Sequence, residues 1–294
     1  MSVQSWQIGD VKVTKILESE GPSPYPMIPE ATPEAVLPMT WMPPGLLTET
    51  GDLVLSFHAL LVETHDLKIV VDTCVGDDKD RGGIPGMHMR HGNFLETFEK
   101  IGCRREEVDV VLCTHLHVDH VGWNTMLVDG KWQPTFPRAR YLFGRTEYEH
   151  WSREAESAGE SFEKLVVGNL LADSVRPIVE AGLVDLVETN HVISPEVRLV
   201  STPGHSPGHT SVEITSGGQR GFISGDIMHH PCQLAHPEWR TVVDYDIDKG
   251  IATRKLFCQE VADTDALVIG THWAGPTAGL VVRDGSAYRL RTED

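Results

Sequence analysis

The chain has 294 residues, 40% of them hydrophobic, which is enough for one large domain with a sizeable core or for two small domains. Its 43 acidic residues outnumber the 25 basic ones, and the formal net charge is −18. Such a charge repels the phosphate backbones of nucleic acids and the acidic surfaces of membranes. We therefore expect neither nucleic acid nor a membrane among its partners.

The amino-terminal residues and the cysteines both favour a cytoplasmic protein. The first residues contain no basic leader and no continuous apolar stretch of the length that a signal peptide needs. No window approaches the roughly 18–20 apolar residues of a membrane span. The five cysteines are scattered and form no Cys-x-x-Cys pair, which is more typical of reduced thiols than of a disulfide framework.

The predicted elements begin with a hairpin over residues 6–17 that turns at Gly9 and Asp10. The segment from 20 to 47 then interrupts the strand pattern, since eight of the 18 prolines lie there. We interpret it as an irregular proline-rich arm that either lies on the surface or covers a pocket or a second subunit. A homodimer formed through this arm is therefore one of the alternatives.

A second hairpin and a long loop follow the arm. Residues 53–63 and 67–73 are rich in β-forming side chains and flank a short polar turn. Residues 74–92 are rich in glycine and aspartate, which predicts a loop. Asn93 and Glu96 then match a capping box, which predicts a helix that ends at the next glycine.

The rest of the chain alternates strands with helices. A nearly all-apolar run at 108–113 predicts a strand buried on both faces, and it leads directly into a group of histidines. Helices are predicted near 146–155, 161–172 and 248–262. Further strands are predicted at 139–143, 183–188, 197–201, 211–215, 221–224 and 266–270. This order predicts a single α/β domain over residues 1–294, in which stacked sheets are flanked by helices.

The run Thr114-His115-Leu116-His117-Val118-Asp119-His120 holds four side chains that can bind a metal, immediately after the buried strand. In extended backbone His115 and His117 point to the same side. A turn after them can bring Asp119 and His120 toward a neighbouring ion. Chance clustering or a structural zinc knuckle is the alternative. Because the cluster contains imidazoles and a carboxylate but no cysteine, it favours an open site for Zn²⁺ or a similar first-row ion.

Four ligands do not complete two metal sites, and three later segments can supply the rest. In each of them an apolar strand leads into a short loop that carries a metal-competent side chain. These segments are Thr202-Pro-Gly-His205-Ser-Pro-Gly-His209, Ser224-Gly-Asp226 and Gly270-Thr-His272. A carboxylate at position 226 can bridge two cations, and one of the two histidines in the first segment can be a ligand while the other supports it. Taken singly, each of these residues would be interpreted as a hydrogen-bonded loop residue.

With these residues in place, the chain resembles the metallo-β-lactamase superfamily, whose signature His-x-His-x-Asp-His stands without substitution at residues 115–120. The later motifs of the family match in order at His205, Asp226 and His272, and the resemblance runs from Leu53 to about Leu290. It implies an αββα four-layer sandwich with two divalent metal ions per chain. Zn²⁺ is the expected ion, with Fe, Co or Mn as alternatives.

The resemblance also implies which residue holds which ion. The first set is His115, His117 and His205; the second set is Asp119, His120 and His272; Asp226 bridges the two ions. Asp72 resembles the structural aspartate of the family, which lies beneath the site and does not bind metal. His209 matches the second, non-ligand histidine of the family.

Hydrolysis is the chemistry that such a pair of ions implies. A hydroxide that bridges them attacks a carbonyl or phosphoryl centre, so no nucleophilic side chain is needed. Asp119 is the expected proton shuttle. Within the superfamily the chain is similar to the branch of acyl-homoserine lactonases and organophosphate hydrolases. Those lactonases often carry a tyrosine three residues after the bridging aspartate, where this chain has His229, whose imidazole can donate a similar hydrogen bond to the substrate carbonyl.

We therefore expect a dinuclear hydrolase that opens a lactone or cleaves an activated ester, with a small-molecule substrate that has an apolar portion. A phosphotriesterase or a β-lactamase-type amidase is the alternative within hydrolysis. A mononuclear iron persulfide dioxygenase, which shares the fold and part of the motif, is the alternative of another class.

Overall fold

The structure is a computed structural model that describes residues 3–156 and 162–292, except for the side chains of 162–164. Its strands are β1 (Ser5–Ile8), β2 (Val11–Pro22), β3 (Val54–Glu63), β4 (Lys68–Val71), β5 (Val110–Leu112), β6 (Thr125–Val128), β7 (Lys131–Pro134), β8 (Arg140–Gly144), β9 (Val184–Val187), β10 (Val197–Ser201), β11 (Thr210–Ser216), β12 (Gln219–Ile223), β13 (Leu267–Ile269), β14 (Ala278–Asp284) and β15 (Ala287–Arg291). Its α-helices are α1 (Pro33–Val36), α2 (Phe94–Lys100), α3 (Arg145–Glu156), α4 (Phe162–Leu170), α5 (Arg176–Glu180), α6 (Cys232–Ala235) and α7 (Ile247–Val261). A turn of π-helix, Leu171–Val175, connects α4 with α5. No helix among the described residues is long and apolar enough to cross a membrane.

The chain divides into two compact units. The first unit consists of residues 1–18 and 57–188, and the second of residues 19–56 and 189–294. Each contains strands of a mixed sheet together with helices, which confirms the predicted α/β class. That the two units form the single domain expected from the sequence stays a prediction.

The sheet of the first unit has the strand order β1-β2-β3-β4-β5-β8-β9. Its half from β4 to β9 is parallel, and Val70 pairs with Val111 there. Val70, Val111 and Tyr141, one from each of β4, β5 and β8, are buried in one apolar cluster, as is typical of parallel strands. Parallel strands end at the same edge of a sheet, so Asp72 after β4 and Thr114 after β5 lie side by side.

The sheet of the second unit has the strand order β10-β11-β12-β13-β14-β15. It is antiparallel except between β12 and β13, where Ile223 pairs with Ile269. The pairing continues past the strands, since the backbone N–H of Ser224 donates to the carbonyl of Ile269 at 2.9 Å. The loops that carry Asp226 and His272 therefore start at the same edge of this sheet.

The proline-rich arm of residues 20–47 belongs to the second unit and contains α1. Its residues Met27, Ile28 and Val36 are buried. They form an apolar cluster with Leu53, Leu55, Cys232 and Trp239. The arm is thus packed onto its own chain, and a homodimer formed through it stays a prediction.

The start of α2 differs from the predicted capping box. Asn93 makes no hydrogen bond to the helix through its side chain, so the predicted exchange with Glu96 is wrong. Its φ and ψ of −121° and 28° lie outside the extended region that aims a capping side chain at the first turn. Glu96 instead pairs at the surface with Lys100, 3.7 Å away.

Two further differences concern the middle of the chain. The predicted helix at 161–172 corresponds to α4 and the π-helical turn, and position 161 lies outside the described residues. The hairpin of β6 and β7 is absent from the predicted elements. It turns at Asp129 and Gly130, with φ of 49° and 75°, and an Asp-Gly pair is the sequence signal for such a turn.

The loop that carries His120 is pressed against the loop after β4. Gly122 donates its N–H to the carbonyl of Cys74 at 2.8 Å, and Thr73 donates to the carbonyl of His120 at 2.8 Å. A Cβ built on Gly122 would lie 1.8 Å from the carbonyl oxygen of Val75. Only glycine fits between these two backbones, so this close approach fixes the position of the metal-competent loop.

We expect Gly122→Ala to lower the free energy of unfolding by about 3 kcal/mol, because one backbone segment would have to move away from another. Urea denaturation of the variant measures this loss. The control is Gly168→Ala, since a Cβ at this position of α4 meets nothing within 4 Å, and it should be neutral or stabilising by up to about 1 kcal/mol. Equal unfolding free energies for the two variants would contradict the close approach.

A buried ionic network joins the predicted loop at 74–92 to the π-helical turn. Arg81 donates to both carboxylate oxygens of Asp173, at 2.6 and 3.0 Å. The Nζ of Lys79 donates to Thr125 Oγ1 at 2.6 Å and lies 3.5 Å from the centre of the Trp132 ring. Burial lowers the pKa of Lys79 to about 7, against the opposing charge of Asp173.

The buried Lys79 should make stability depend on pH. The unfolded chain keeps the Lys79 proton up to the ordinary pKa of 10.5, whereas the folded chain releases it near pH 7. Between these pH values the unfolded state binds more protons, so the free energy of unfolding of the wild type should rise with pH relative to Lys79→Met, by up to about 1.4 kcal/mol per pH unit. Urea denaturation across this range measures the difference. The exposed Lys100→Met should run parallel to the wild type, and a pH-independent difference for Lys79→Met would overturn the prediction.

Candidate metal centre

In the first unit, the Asp72 carboxylate supports the predicted histidine cluster. Its Oδ1 accepts a hydrogen bond from the backbone N–H of Thr114 at 2.8 Å, and its Oδ2 accepts one from Thr114 Oγ1 at 2.9 Å. The same Oδ2 lies 2.9 Å from His120 Nδ1. Asp72 is buried and engaged with these donors, as expected for a residue that orients ligands and does not bind metal itself.

The histidines of the cluster are packed ring against ring. The ring centres of His115 and His117 are 4.5 Å apart, and those of His115 and His120 are 4.0 Å apart. His115 Nδ1 faces Thr114 Oγ1 at 3.0 Å, as His120 Nδ1 faces Asp72. Because Nδ1 is engaged in both rings, Nε2 is the nitrogen that can bind a metal. Asp119 Oδ1 lies 3.8 Å from His120 Nε2, so the structure brings all four predicted residues of this cluster together.

Glu147 is a support of this cluster that the sequence reasoning missed. Its carboxylate is fully buried near the start of α3. It accepts hydrogen bonds from the backbone N–H of Leu116 at 3.2 Å and from Trp151 Nε1 at 2.8 Å. The Trp151 ring lies edge-on to the His117 ring at 5.4 Å. Glu147 therefore fixes the backbone between the first two histidines and the side chain that packs on the second.

In the second unit, His205, Asp226 and His272 meet at the ends of the strands. Asp226 follows β12, His272 follows the parallel β13, and His205 lies in the loop between β10 and β11. The Nε2 atoms of His205 and His272 lie 3.3 and 3.2 Å from Asp226 Oδ2. All three side chains are buried. The structure thus brings the three later predicted ligands together.

These separations fit a metal ion. The donor atoms of a tetrahedral zinc ion, at bond lengths of about 2.0–2.2 Å, lie about 3.3–3.6 Å apart. Imidazole nitrogens with a carboxylate oxygen are also the donors that zinc and neighbouring first-row ions accept. One set of three lies wholly within this unit, because His205, Asp226 and His229 each offer a donor atom within 4.8 Å of the others.

His229, predicted as a substrate contact, lies among these ligands. Its Nε2 is 3.2 Å from Asp226 Oδ2, and its ring is stacked on that of His272 at 5.3 Å and 8°. The backbone N–H of His229 donates to Gln233 Oε1 at 2.8 Å. Burial lowers the pKa of His229, against the opposing charge of Asp226. Among the described residues its buried Nδ1 has no hydrogen-bond partner.

The position of Asp226 is set by two neighbours. Thr271 Oγ1 donates to Asp226 Oδ1 at 2.9 Å. The backbone N–H of Asp226 donates to His209 Nε2 at 2.8 Å, while His209 Nδ1 faces the carbonyl of Thr202 at 2.9 Å. Both ring nitrogens of His209 are therefore engaged, as expected of the non-ligand histidine in this loop.

Asp244 and Arg254 are further residues that the sequence reasoning missed. Asp244 Oδ1 lies 3.1 Å from His205 Nδ1, and Arg254 Nη2 lies 3.7 Å from Asp244 Oδ2. Burial acts to raise the pKa of Asp244, but the hydrogen bond and the charge of His205 outweigh it, and the pKa lies well below its usual range. Neither residue belongs to a short motif, so no signal in the sequence points to them.

The segment after Asp226 carries two further histidines, His230 and His236. His230 is buried, its Nε2 lies 2.9 Å from the carbonyl of Leu46, and burial lowers its pKa to about 4. His236 is partly exposed and stacked on Trp239, with ring centres 4.0 Å apart. Both side chains are explained by local packing and hydrogen bonding.

Known sequences place the chain in a family. The model of the metallo-beta-lactamase superfamily matches residues 56–279. A probable metallo-hydrolase of Mycobacterium tuberculosis is 28% identical over 188 residues, which cover 60% of this chain and 58% of that protein. An N-acyl homoserine lactonase of Bacillus cereus is 25% identical over 183 residues, which cover 57% of this chain and 62% of that protein. The chain thus spans about three fifths of the length of the curated relatives it matches.

Known structures agree with this fold along nearly the whole chain. AidC, a dizinc quorum-quenching lactonase in complex with a homoserine product, has a TM-score of 0.79 at 19% identity, with 99% of this chain and 97% of that chain covered. The hydrolase AbOPH of the beta lactamase superfamily has a TM-score of 0.80 at 24% identity, with 99% and 98% covered. At these identities the likeness shows the fold, and it confirms the predicted one. Since the family model covers most of the sequence, the chain belongs to the metallo-beta-lactamase superfamily.

Proposed function

We propose that the chain is a dinuclear metal-dependent hydrolase that opens a lactone or cleaves an activated ester. The observation that carries this proposal is the arrangement around Asp226, where one carboxylate oxygen faces the Nε2 atoms of His205 and His272 at 3.3 and 3.2 Å. The family assigns these two histidines to different ions. A carboxylate that faces both suits a bridging ligand.

The complete ligand sets follow the motifs of the family. By these motifs His115, His117 and His205 would hold one ion and Asp119, His120 and His272 the other, with Asp226 shared between them. The absence of cysteine from this set and its imidazole and carboxylate donors favour Zn²⁺, with Fe, Co or Mn as alternatives. Two such ions supply an activated water and a Lewis acid for the substrate carbonyl when they are bound.

Asp119 and His229 are the side chains that act on the substrate. Opening of an ester releases an alkoxide that needs a proton, and the Asp119 carboxyl can carry it, since its side chain is more exposed than those of its histidine neighbours. His229 has a buried Nδ1 without a partner among the described residues, so its proton is best placed on Nε2. From there it can donate to Asp226 Oδ2, which it faces at 3.2 Å, or to the carbonyl oxygen of a substrate.

The proposed substrate class is inferred from the known relatives of the chain. Several curated relatives are N-acyl homoserine lactonases, and one solved lactonase holds a homoserine product. We therefore favour a small lactone or ester with an apolar portion. The expectations of a cytoplasmic location and a homodimer stay predictions.

A panel of lactones, aryl esters, β-lactams and neutral phosphotriesters tests this function, together with elemental analysis of the purified protein. We expect about two zinc-like ions per chain and lactones or esters as the best substrates. Asp226→Ala should lower kcat/KM by about 10³-fold or more, whereas Asp284→Ala, an exposed carboxylate on β14, should have no effect. Faster cleavage of phosphotriesters would reassign the chain as a phosphotriesterase. Inert, metal-replete protein would refute hydrolysis of these classes.

His229 is tested by a pair of substitutions. His229→Gln keeps an N–H donor and should retain more activity than His229→Leu, which should lower kcat by about 10–100-fold because the carbonyl oxygen loses its donor. Steady-state kinetics and the metal content of both variants measure this. Loss of one ion from His229→Leu would instead make His229 a metal ligand.

An oxidative function is the second candidate, and one observation favours it. His205, Asp226 and His229 are two histidines and one carboxylate, which is the donor set of many non-haem iron(II) oxygenases. A mononuclear iron persulfide dioxygenase would contain about one iron per chain and consume oxygen with a persulfide substrate. The same elemental analysis separates it from the hydrolase.

A further inference from the structure

The guanidinium of Arg254 is buried within the second unit. It extends from α7 and is 1% exposed. Its Nε donates to the carbonyl of Ile227 at 2.7 Å, and its Nη1 donates to the carbonyls of Pro237 and Trp239 at 3.0 and 2.6 Å. All three carbonyls belong to the segment that directly follows Asp226. One side chain therefore fixes the backbone of the segment that also carries His229.

The same guanidinium faces a buried carboxylate. Arg254 Nη2 lies 3.7 Å from Oδ2 of Asp244, whose side chain is 0% exposed. This Oδ2 also accepts the backbone N–H of Thr241 at 3.0 Å, while Oδ1 lies 3.1 Å from His205 Nδ1. Asp244 is thus held from two sides, and its remaining oxygen is directed at the histidine ring.

A carboxylate in this place decides which nitrogen of His205 carries the proton. Hydrogen bonding to Asp244 holds a proton on Nδ1, which leaves Nε2, 3.3 Å from Asp226 Oδ2, as the nitrogen that can bind a metal. Burial of a charged pair is costly and is weak evidence for a purely stabilising role. A role in orienting the ring explains why the pair is nevertheless placed here.

We propose that Arg254 is a positioning residue of the metal centre. Through Asp244 it sets the tautomer and the orientation of His205, and through the carbonyl of Ile227 it sets the backbone that follows Asp226. It thereby holds two ligands of the proposed centre with one side chain. The inference rests on the proposed function in so far as His205 and Asp226 bind metal.

The test uses Arg254→Lys, Asp244→Asn and the double variant. Lysine keeps the charge but cannot reach three carbonyls and a carboxylate together. The affinity of each protein for zinc is measured by competition with a chelator. The tautomer of His205 in the metal-free proteins is measured from the ¹⁵N chemical shifts of its ring. Arg220→Lys is the matched control, because Arg220 is also paired with carboxylates in this unit, those of Glu213 and Glu260.

We expect the wild type to carry the His205 proton on Nδ1. Arg254→Lys should weaken zinc binding by about 10-fold and Asp244→Asn by about 10–100-fold, both with a mixture of tautomers. The double variant should bind zinc more weakly than Asp244→Asn but lose less than the two effects added together, because the route through Asp244 is shared and the route through Ile227 is not. Arg220→Lys should equal the wild type in both measurements.

Wild-type zinc affinity in Arg254→Lys, or losses that add in the double variant, would overturn the proposal. If Arg254→Lys does not fold, the test is the tautomer of His205 in Asp244→Asn. An Nδ1 tautomer that is unchanged in this variant would overturn the proposal. Neither measurement needs turnover. Inactivity on every substrate would therefore refute the proposed function alone.

Discussion

Two pairs of parallel strands position every candidate metal ligand except His205, which follows the antiparallel β10. In the first unit β4 and β5 run side by side, and in the second unit β12 and β13 do so. The loops that follow two parallel neighbours start at the same edge of the sheet. Asp72 is therefore close enough to contact Thr114, and Asp226 is close enough to contact His272. The strands are buried, which fixes their register, because a slip of one residue would turn every apolar side chain to the opposite face.

Proximity at a strand end does not orient an imidazole ring, and the structure shows a separate set of contacts that does. In four histidines Nδ1 faces a fixed partner. The partner is Thr114 Oγ1 for His115, Asp72 for His120, Asp244 for His205 and the carbonyl of Ser56 for His272. Each contact directs the other nitrogen of its ring toward the ligand position. The partners are a hydroxyl, two carboxylates and a backbone carbonyl, so this layer of the site has no common sequence signature.

This difference explains how much of the molecule was predictable. The strands that lead into the candidate ligands follow a local pattern, an apolar run and then a short polar loop, and β4, β5, β10, β12 and β13 were predicted. The strands β14 and β15 were not predicted. Asp244 and Arg254 act across 39 and 27 residues of sequence, on His205 and Ile227, and no local pattern encodes such a distance. The capping box at Asn93 shows the opposite failure, since the pattern was present but the backbone angles prevented the bond. The Asp129-Gly130 hairpin was encoded locally and was overlooked.

His229 differs from the four histidines whose Nδ1 atoms each face a partner. Its Nδ1 has no partner among the described residues, and its ring is held by stacking on His272 and by the contact of Nε2 with Asp226. Both of these neighbours are proposed ligands. The orientation of His229 therefore depends on the positions of these two side chains, whereas the orientation of His205 depends on Asp244 behind it. A bound ion that shifted Asp226 or His272 would therefore also shift the ring of His229.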